Sequence, residues 1–477
     1  MIAGRGCGNS MAVLGALVVA VACCASTKHA STAAAPATFT ATVTKLVIPQ
    51  VDYEPAIYYS PGDPYPHIDF NKVDPKKVVS KEHQAVILDN EYVRVTVLPA
   101  MGRVYAIFYK PTGHDELWRN DIATTRPQGG NPLGFWLWIG GVEHTLPVAE
   151  HGSTFALPWS WELAEDSPAR KTVRMKIREP GTKLEETLEF SLYPGRAYYE
   201  TSVAITNPTA EVVQYVHWIN PQWTPGGHNE LTDNTEFIIP TDRILIAKDW
   251  QKNMGESPQD WVGNKFRFIK GWARHGDLMA DGIRHGFYSA YSHDEQEGMV
   301  RVFDKDKTPG VDIWTYGYHP REVPIPMGSG ATNKGYAEMW GGTSKLYGDD
   351  LTPLAPGATI AWTEWMYPYQ KTGGLTFADR ELAVHFVADE SGRTANVGLC
   401  PSGPWQGDVE LVVEAPTPSP ENPGTERSLK RWSLALDPTR PFSDKVDLGA
   451  LDGAATARLR LKLRPVGGPE RAISPAR

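Results

Sequence analysis

VILDNEYVRVTVLP, residues 86–99, and GRVYAIFYKPTGHDELW, residues 102–118, are the stretch on which the reading of the whole chain turns. Apolar and polar residues alternate on both sides of Asp89-Asn90-Glu91 and again ahead of Lys110-Pro111-Thr112-Gly113. A period of two puts every second side chain on one face of a strand, and turn-forming residues at the breaks close hairpins. The rhythm returns at 172–178, 187–193 and 199–207, and no segment sustains helical periodicity over about fifteen residues. The best helical candidate is 247–264 (AKDWQKNMGESPQDWVGN), read as a short helix with loops. The expected fold is therefore all-β, a large antiparallel β-sandwich over 41–372. A break near Gly373-Gly374 precedes a second alternating set, LAVHFVA (382–388), GDVELVVEA (407–415) and ARLRLKLRP (457–465). That set predicts a small C-terminal immunoglobulin-like β-sandwich over 380–470. Ahead of the first hairpin, 51–75 carries too many prolines for a central strand and is expected to lie extended over sheet surface.

The 477 residues hold 47 Lys and Arg against 56 Asp and Glu, a net charge of −9, which excludes a basic nucleic-acid binder. Sixteen Trp offer flat faces suited to sugar rings as well as to core filling. Arg5, the apolar run 11–22 and the boundary Ala20-Val21-Ala22-Cys23 read as a signal peptide over 1–22, too short to span a bilayer. The boundary leaves two forms of export open: a lipoprotein attached to the membrane through a lipidated Cys23, or a secreted or periplasmic protein. A flexible linker of small residues over 23–40 follows. Only Cys400 lies in the body of the chain, so neither a disulfide framework nor a cysteine zinc site is expected.

Three blocks carry candidate chemistry. In the first, a strand ending near Thr206-Asn207-Pro208 leads to His217-Trp218-Ile219-Asn220-Pro221, then to TPGGHNEL (224–231) with His228. Alternation puts His217 and Ile219 on one face, Trp218 and Asn220 on the other. In the second, Tyr336, Glu338 and Trp340 share a strand face, so a carboxylate sits among aromatic rings where it can serve as acid or base. The third, 140–152, holds Glu143, His144, Glu150 and His151, able to bind a metal or hydroxyls but without HExxH spacing; Glu150 reads as loop polarity. The sequence Asp304-Lys305-Asp306 fails as a calcium loop because Thr315 stands where a bidentate Glu is needed. With neither GxGxxG nor GxSxG present, no cofactor is expected.

In their order along the chain these blocks resemble the galactose mutarotase-like superfamily, and more closely an uncharacterised bacterial domain family often found ahead of tetratricopeptide repeats. The shared pattern runs from Tyr92 through Trp118-Arg119-Asn120, 140–152 and 206–220 to 336–364. The resemblance implies a supersandwich with a cleft for an oligo- or polysaccharide. It implies that Glu338, by its distance to Pro356-Gly357, takes the proton of an anomeric hydroxyl while a His protonates the ring oxygen. Aligning the family Asn on Asn220 places Val216 at that His position and His217 one residue away, on the opposite strand face, which counts against simple mutarotation. His144 or His151 corresponds to a second family His, and Arg103 and Arg119 fall where basic residues border the cleft. The catalytic candidates are thus Glu338, His217, His144 and His151. The substrate-binding candidates are Arg103, Arg119, Glu143, Trp218, Asn220, His228, Tyr336 and Trp340. The favoured expectation is an exported protein that cleaves a glycan by acid/base chemistry, as a glycoside hydrolase or polysaccharide lyase. A non-catalytic sugar-binding lipoprotein and an aldose 1-epimerase-like enzyme are the alternatives, so whether the chain is an enzyme stays open.

Overall fold

A computed structural model describes residues 39–246, 254–273, 275–318, 335, 337–348, 350–389, 391–414, 426–449, 451, 453–456 and 458–475. The expected signal peptide, Cys23, nearly all of the linker, Tyr336 and residues 247–253 of the helical candidate lie outside them. Residues 38–477 form one compact unit.

The deciding hairpin forms as its alternation requires. Strand Val78–Asp89 pairs antiparallel with Val93–Leu98, matching Val86 to Val97 and Leu88 to Val95. Asn90 closes the turn: its Oδ1 accepts from the amides of Tyr92 and Val93, both at 2.9 Å. Its Nδ2 donates to the carbonyls of Tyr193 and Arg196, at 2.6 and 2.7 Å, and so ties the hairpin to the opposite layer.

From this hairpin a 14-stranded sheet grows both ways. One direction runs through Arg103–Tyr109, Val142–Thr145, Trp218–Pro221, Ala337–Gly342, Gly310–Thr315 and Gly276–Ala280; the other through Thr40–Val51 to Arg119–Pro127 and Phe135–Gly140. An eight-stranded antiparallel sheet covers one face, in the order Ser160–Asp166, Lys171–Arg178, Glu185–Leu192, Tyr199–Thr206, Thr359–Gln370, Glu297–Val302, Phe287–Ser292 and Thr235–Ile238. Alternate side chains of the two sheets meet in the main core, Val95, Val104 and Ile107 from one, Val173, Leu188, Phe190 and Val203 from the other. Each such fully buried aliphatic residue stabilises the fold by roughly 1.5–3 kcal/mol.

On the other face of the large sheet, the proline-rich arm forms a small hairpin, Ile57–Tyr59 with Pro66–Ile68. It packs Ile57, Tyr65 and Ile68 into a second apolar cluster with Phe135, Leu137 and Phe155. Two four-stranded sheets over 377–473 enclose a separate core that includes Val384, Phe386, Leu411, Leu461 and Leu463. Of the helical candidate at 247–264, the described part opens with Met254 in a 3-10 helical turn and continues as loops and the two-residue strand Gln259–Asp260. Gly255 and Gly263, both with left-handed φ, and Pro258 interrupt any helical run there. The one α-helix among the described residues is the four-residue Gly453–Thr456, and no helix among them is long and apolar enough to cross a membrane.

Candidate functional site

Three neighbouring strands of the large sheet bring together residues far apart in sequence. Register sets Asp277 opposite Trp314 and Trp314 opposite Glu338, and, two residues along, Met279 opposite Asp312 and Asp312 opposite Trp340. With a period of two, Asp277, Asp312, Trp314, Glu338 and Trp340 all project from one face. Their side chains line a cleft of about 380 Å³ together with Arg126, Gln128, Trp136, Glu150, His151, His275, Tyr316 and Tyr347. Glu338 is buried in the cleft wall, and its Oε2 accepts from Trp340 Nε1 at 2.9 Å, the same-face contact that the i, i+2 spacing predicts.

Beneath the cleft runs a buried ionic chain. The Arg103 guanidinium lies 2.9 Å from Glu143 Oε1 and also donates to the Gly140 carbonyl at 2.7 Å. The other Glu143 oxygen lies 3.0 Å from His151 Nδ1. Burial opposes the charge on Glu143, but Arg103 and His151 outweigh it and hold the carboxyl below its ordinary pKa. Burial likewise opposes a proton on His151, yet Glu143, with help from Glu338 and Glu150, raises that imidazole above its ordinary value. The site therefore contains a histidine tuned to carry a proton.

Backbone geometry places this chain. Gly141, at φ +91°, lets strand Val142–Thr145 approach its neighbour so closely that a Cβ there would lie 2.3 Å from the Val104 carbonyl oxygen. His151 itself sits at φ 56°, a left-handed conformation that costs a non-glycine residue on the order of 1 kcal/mol or more. Its ring is clamped there, stacked on Trp136 with centroids 4.3 Å apart and edge-on to Trp340 at 5.3 Å.

The opposite wall is built on Arg126, which donates to the Tyr316 hydroxyl and lies over Trp138 and Tyr316, 5.4 and 5.5 Å from the ring centroids. Burial, moderated by Arg126, pushes the Tyr316 phenol up to about 12. His275, edge-on to Trp314 at 5.1 Å, is shifted the opposite way from His151: burial and then Arg126 lower its pKa. One cleft thus holds an imidazole inclined to keep its proton and another inclined to stay neutral, the separation that acid/base work needs. Burial, and after it the carboxylates of Glu150, Asp312, Glu338 and Asp277, raise the Tyr347 phenol well above its ordinary value. Among the described residues, four carboxyl groups and one guanidinium line this cleft.

The remaining candidates are distributed otherwise. His144 and His217 face the core between the sheets, their rings 5.6 Å apart, His144 against Phe190 and His217 edge-on to Trp362. Burial and the nearby His217 depress His144 strongly, and His217 Nε2 lies 3.1 Å from Glu186 Oε1, out of line for a hydrogen bond. Regular alternation puts Val216 and Trp218 on the cleft side instead, so no bulge turns His217 inward. Trp218 is fully buried under the cleft and donates to Ser344 Oγ at 2.9 Å. Asn220 lies opposite Glu143 in the strand register, and its amide is buried without a hydrogen-bond partner among the described residues. Arg119 is paired with Asp115 and lies over the Tyr105 ring, while His228 pairs with Glu295 at 2.8 Å; neither lines the cleft. Arg103 and Glu143 act from below, and Tyr336 lies outside the described residues. Reading the sequence missed Arg126, Gln128, Trp136, His275, Asp277, Asp312, Trp314, Tyr316 and Tyr347, and took Glu150 for loop polarity.

Fold and site together define an all-β supersandwich with an aromatic, carboxylate-rich cleft on the exposed side of its larger sheet. The chain belongs to the family described as "Domain of unknown function (DUF5107)", which it matches over residues 60–344, more than half its length. Among solved structures it is similar to a TPR-domain containing protein from Parabacteroides distasonis, at 18% identity and a TM-score of 0.57. The match covers 72% of this chain and 58% of that one, less than two thirds of the relative. A galactose mutarotase-like protein from Clostridium acetobutylicum matches at 11% identity and a TM-score of 0.43, covering 61% of this chain and 96% of that one. Another from Lactobacillus casei matches at 10% and 0.42, covering 60% and 100%. At such identities the likeness concerns the fold.

Proposed function

We propose that this protein binds a saccharide in the cleft. The observation that carries the reading is the cleft lining, in which Trp314 and the largely buried Trp136 and Trp340 surround Glu338, His151 and Asp312: aromatic surface for sugar carbons beside groups that bond hydroxyls. The sequence's export signal makes this, in our reading, an exported protein, attached to the membrane if Cys23 is lipidated.

A second reading, proton transfer of the aldose 1-epimerase type, is favoured by the raised His151 and by Glu338 sharing its cleft. The apolar Val216 at the position expected for a second imidazole speaks against it. Cleavage of a glycan draws support only from the number of carboxyl groups present. The test is proton NMR of the purified protein with neutral, amino and uronic oligosaccharides, comparing wild type with Glu338→Gln. Broadened sugar signals without new species support binding. Accelerated α/β exchange that Glu338→Gln abolishes supports epimerase-type catalysis, and new reducing ends support hydrolysis. If no sugar in the panel perturbs the spectra at millimolar concentration, the saccharide reading falls.

A further inference from the structure

Away from the cleft, at one end of the layer between the two sheets, His114, Glu116 and Glu297 place their ligand atoms within 4.8 Å of one another. His114, in the short strand His114–Asp115, and Glu116 just after it come from the large sheet; Glu297 opens strand Glu297–Val302 of the smaller one. The Glu297 carboxylate is fully engaged, accepting from Thr112 Oγ1 at 2.6 Å on one oxygen and meeting His114 Nδ1 at 2.7 Å on the other. Glu116 is not. It is 0% exposed, and neither of its carboxylate oxygens accepts a hydrogen bond of ordinary geometry among the described residues; the Gly226 amide gives it only weak support.

Two carboxylates facing each other in the interior require a positive charge or a shared proton between them. Thr224, whose amide donates to the Glu116 carbonyl at 2.9 Å, carries a buried hydroxyl that also has no partner among the described residues. His114, about one third exposed, opens the group to solvent, and the bare backbone of Gly227 packs against its ring, where any side chain would collide.

We propose that His114, Glu116 and Glu297 bind a divalent transition-metal ion, Zn²⁺ or Mn²⁺, that fastens the two sheets together at this end of the sandwich. One imidazole and two carboxylates form a mixed nitrogen and oxygen donor set, which suits these ions better than Ca²⁺ or Mg²⁺ with their preference for oxygen alone. On binding, a proton shared by the Glu116 and Glu297 carboxyls leaves to solvent, the single ring proton of neutral His114 sits on Nε2 so that Nδ1 can coordinate, and no electron moves.

The test uses the whole purified chain. Its metal content is measured by mass spectrometry, and after dialysis against chelator Zn²⁺, Mn²⁺ and Ca²⁺ are titrated in separately by calorimetry and thermal melting. The expected result is one Zn²⁺ or Mn²⁺ per chain with a raised melting temperature, and no effect of Ca²⁺. Affinity should fall by about tenfold or more in both Glu116→Gln and His114→Gln, the latter at a partly exposed position that tolerates the change. Absence of binding in wild type, or equal affinity in wild type and both variants, overturns the site and leaves a shared proton between the carboxyl groups.

Discussion

Replacing Glu143 by Gln keeps the size of the side chain but removes the negative charge between Arg103 and His151, all three of them buried. Taking one partner from a buried ion pair costs roughly 3–5 kcal/mol, because the other is left charged in the interior. Here the Gly140 carbonyl still accepts from Arg103, so the lower end, about 3 kcal/mol, is expected. The more specific consequence is in the pH dependence. In wild type the folded-state pKa of His151 is raised, so its contribution to stability is complete below about pH 6.5 and is lost as pH rises through the folded value. In Glu143→Gln burial becomes the dominant influence and lowers that pKa, so stability should instead increase as pH rises towards about 6.5. The slope changes sign, and one proton limits it to about 1.4 kcal/mol per pH unit. Urea unfolding followed by tryptophan fluorescence from pH 5 to 9 measures both curves, and their difference separates His151 from the other histidines. Parallel curves offset by less than about 1 kcal/mol would refute the assignment of Glu143 as the group that holds the proton on His151.

Trp340→Phe removes the hydrogen bond to Glu338 while keeping an aromatic face, and saccharide affinity should fall by about tenfold, consistent with a charge-assisted bond of about 1.5–3 kcal/mol; NMR titration reads it. Gly141→Ala forces a Cβ to within 2.3 Å of the Val104 carbonyl at a positive φ, so denaturant unfolding should show a loss of more than about 2 kcal/mol. Arg301→Met leaves Glu364 charged in the core, where the pair is wholly buried at 2.6 Å. A loss of about 3–5 kcal/mol is expected, most of it recovered when Glu364→Met is added.

Where a property depended on local alternation, the sequence carried it. The opposed faces of His217 and Trp218 followed from period two alone, as did the shared face of Glu338 and Trp340, and the structure shows both. The breaks at 254–264 were also written in the sequence, in Gly255, Pro258 and Gly263. Arg103 and Arg119 looked alike as basic residues that the resemblance placed beside the cleft. Only the surroundings separate them, a buried Glu143 for the first and a partly exposed Asp115 for the second.

What the amino-acid sequence determined by itself was the all-β class, the closing turns and the face on which each strand residue lies, because these rest on backbone geometry and interactions a few residues long. What only the tertiary structure decided was which strands became neighbours. Asp277, Asp312 and Glu338 meet in one cleft because Gly276–Ala280, Gly310–Thr315 and Ala337–Gly342 are adjacent in a particular register. Glu116 and Glu297 face each other because two different sheets stack. Register and stacking are settled by burial summed over the whole sandwich, a free energy to which every strand contributes and which no short stretch of sequence contains.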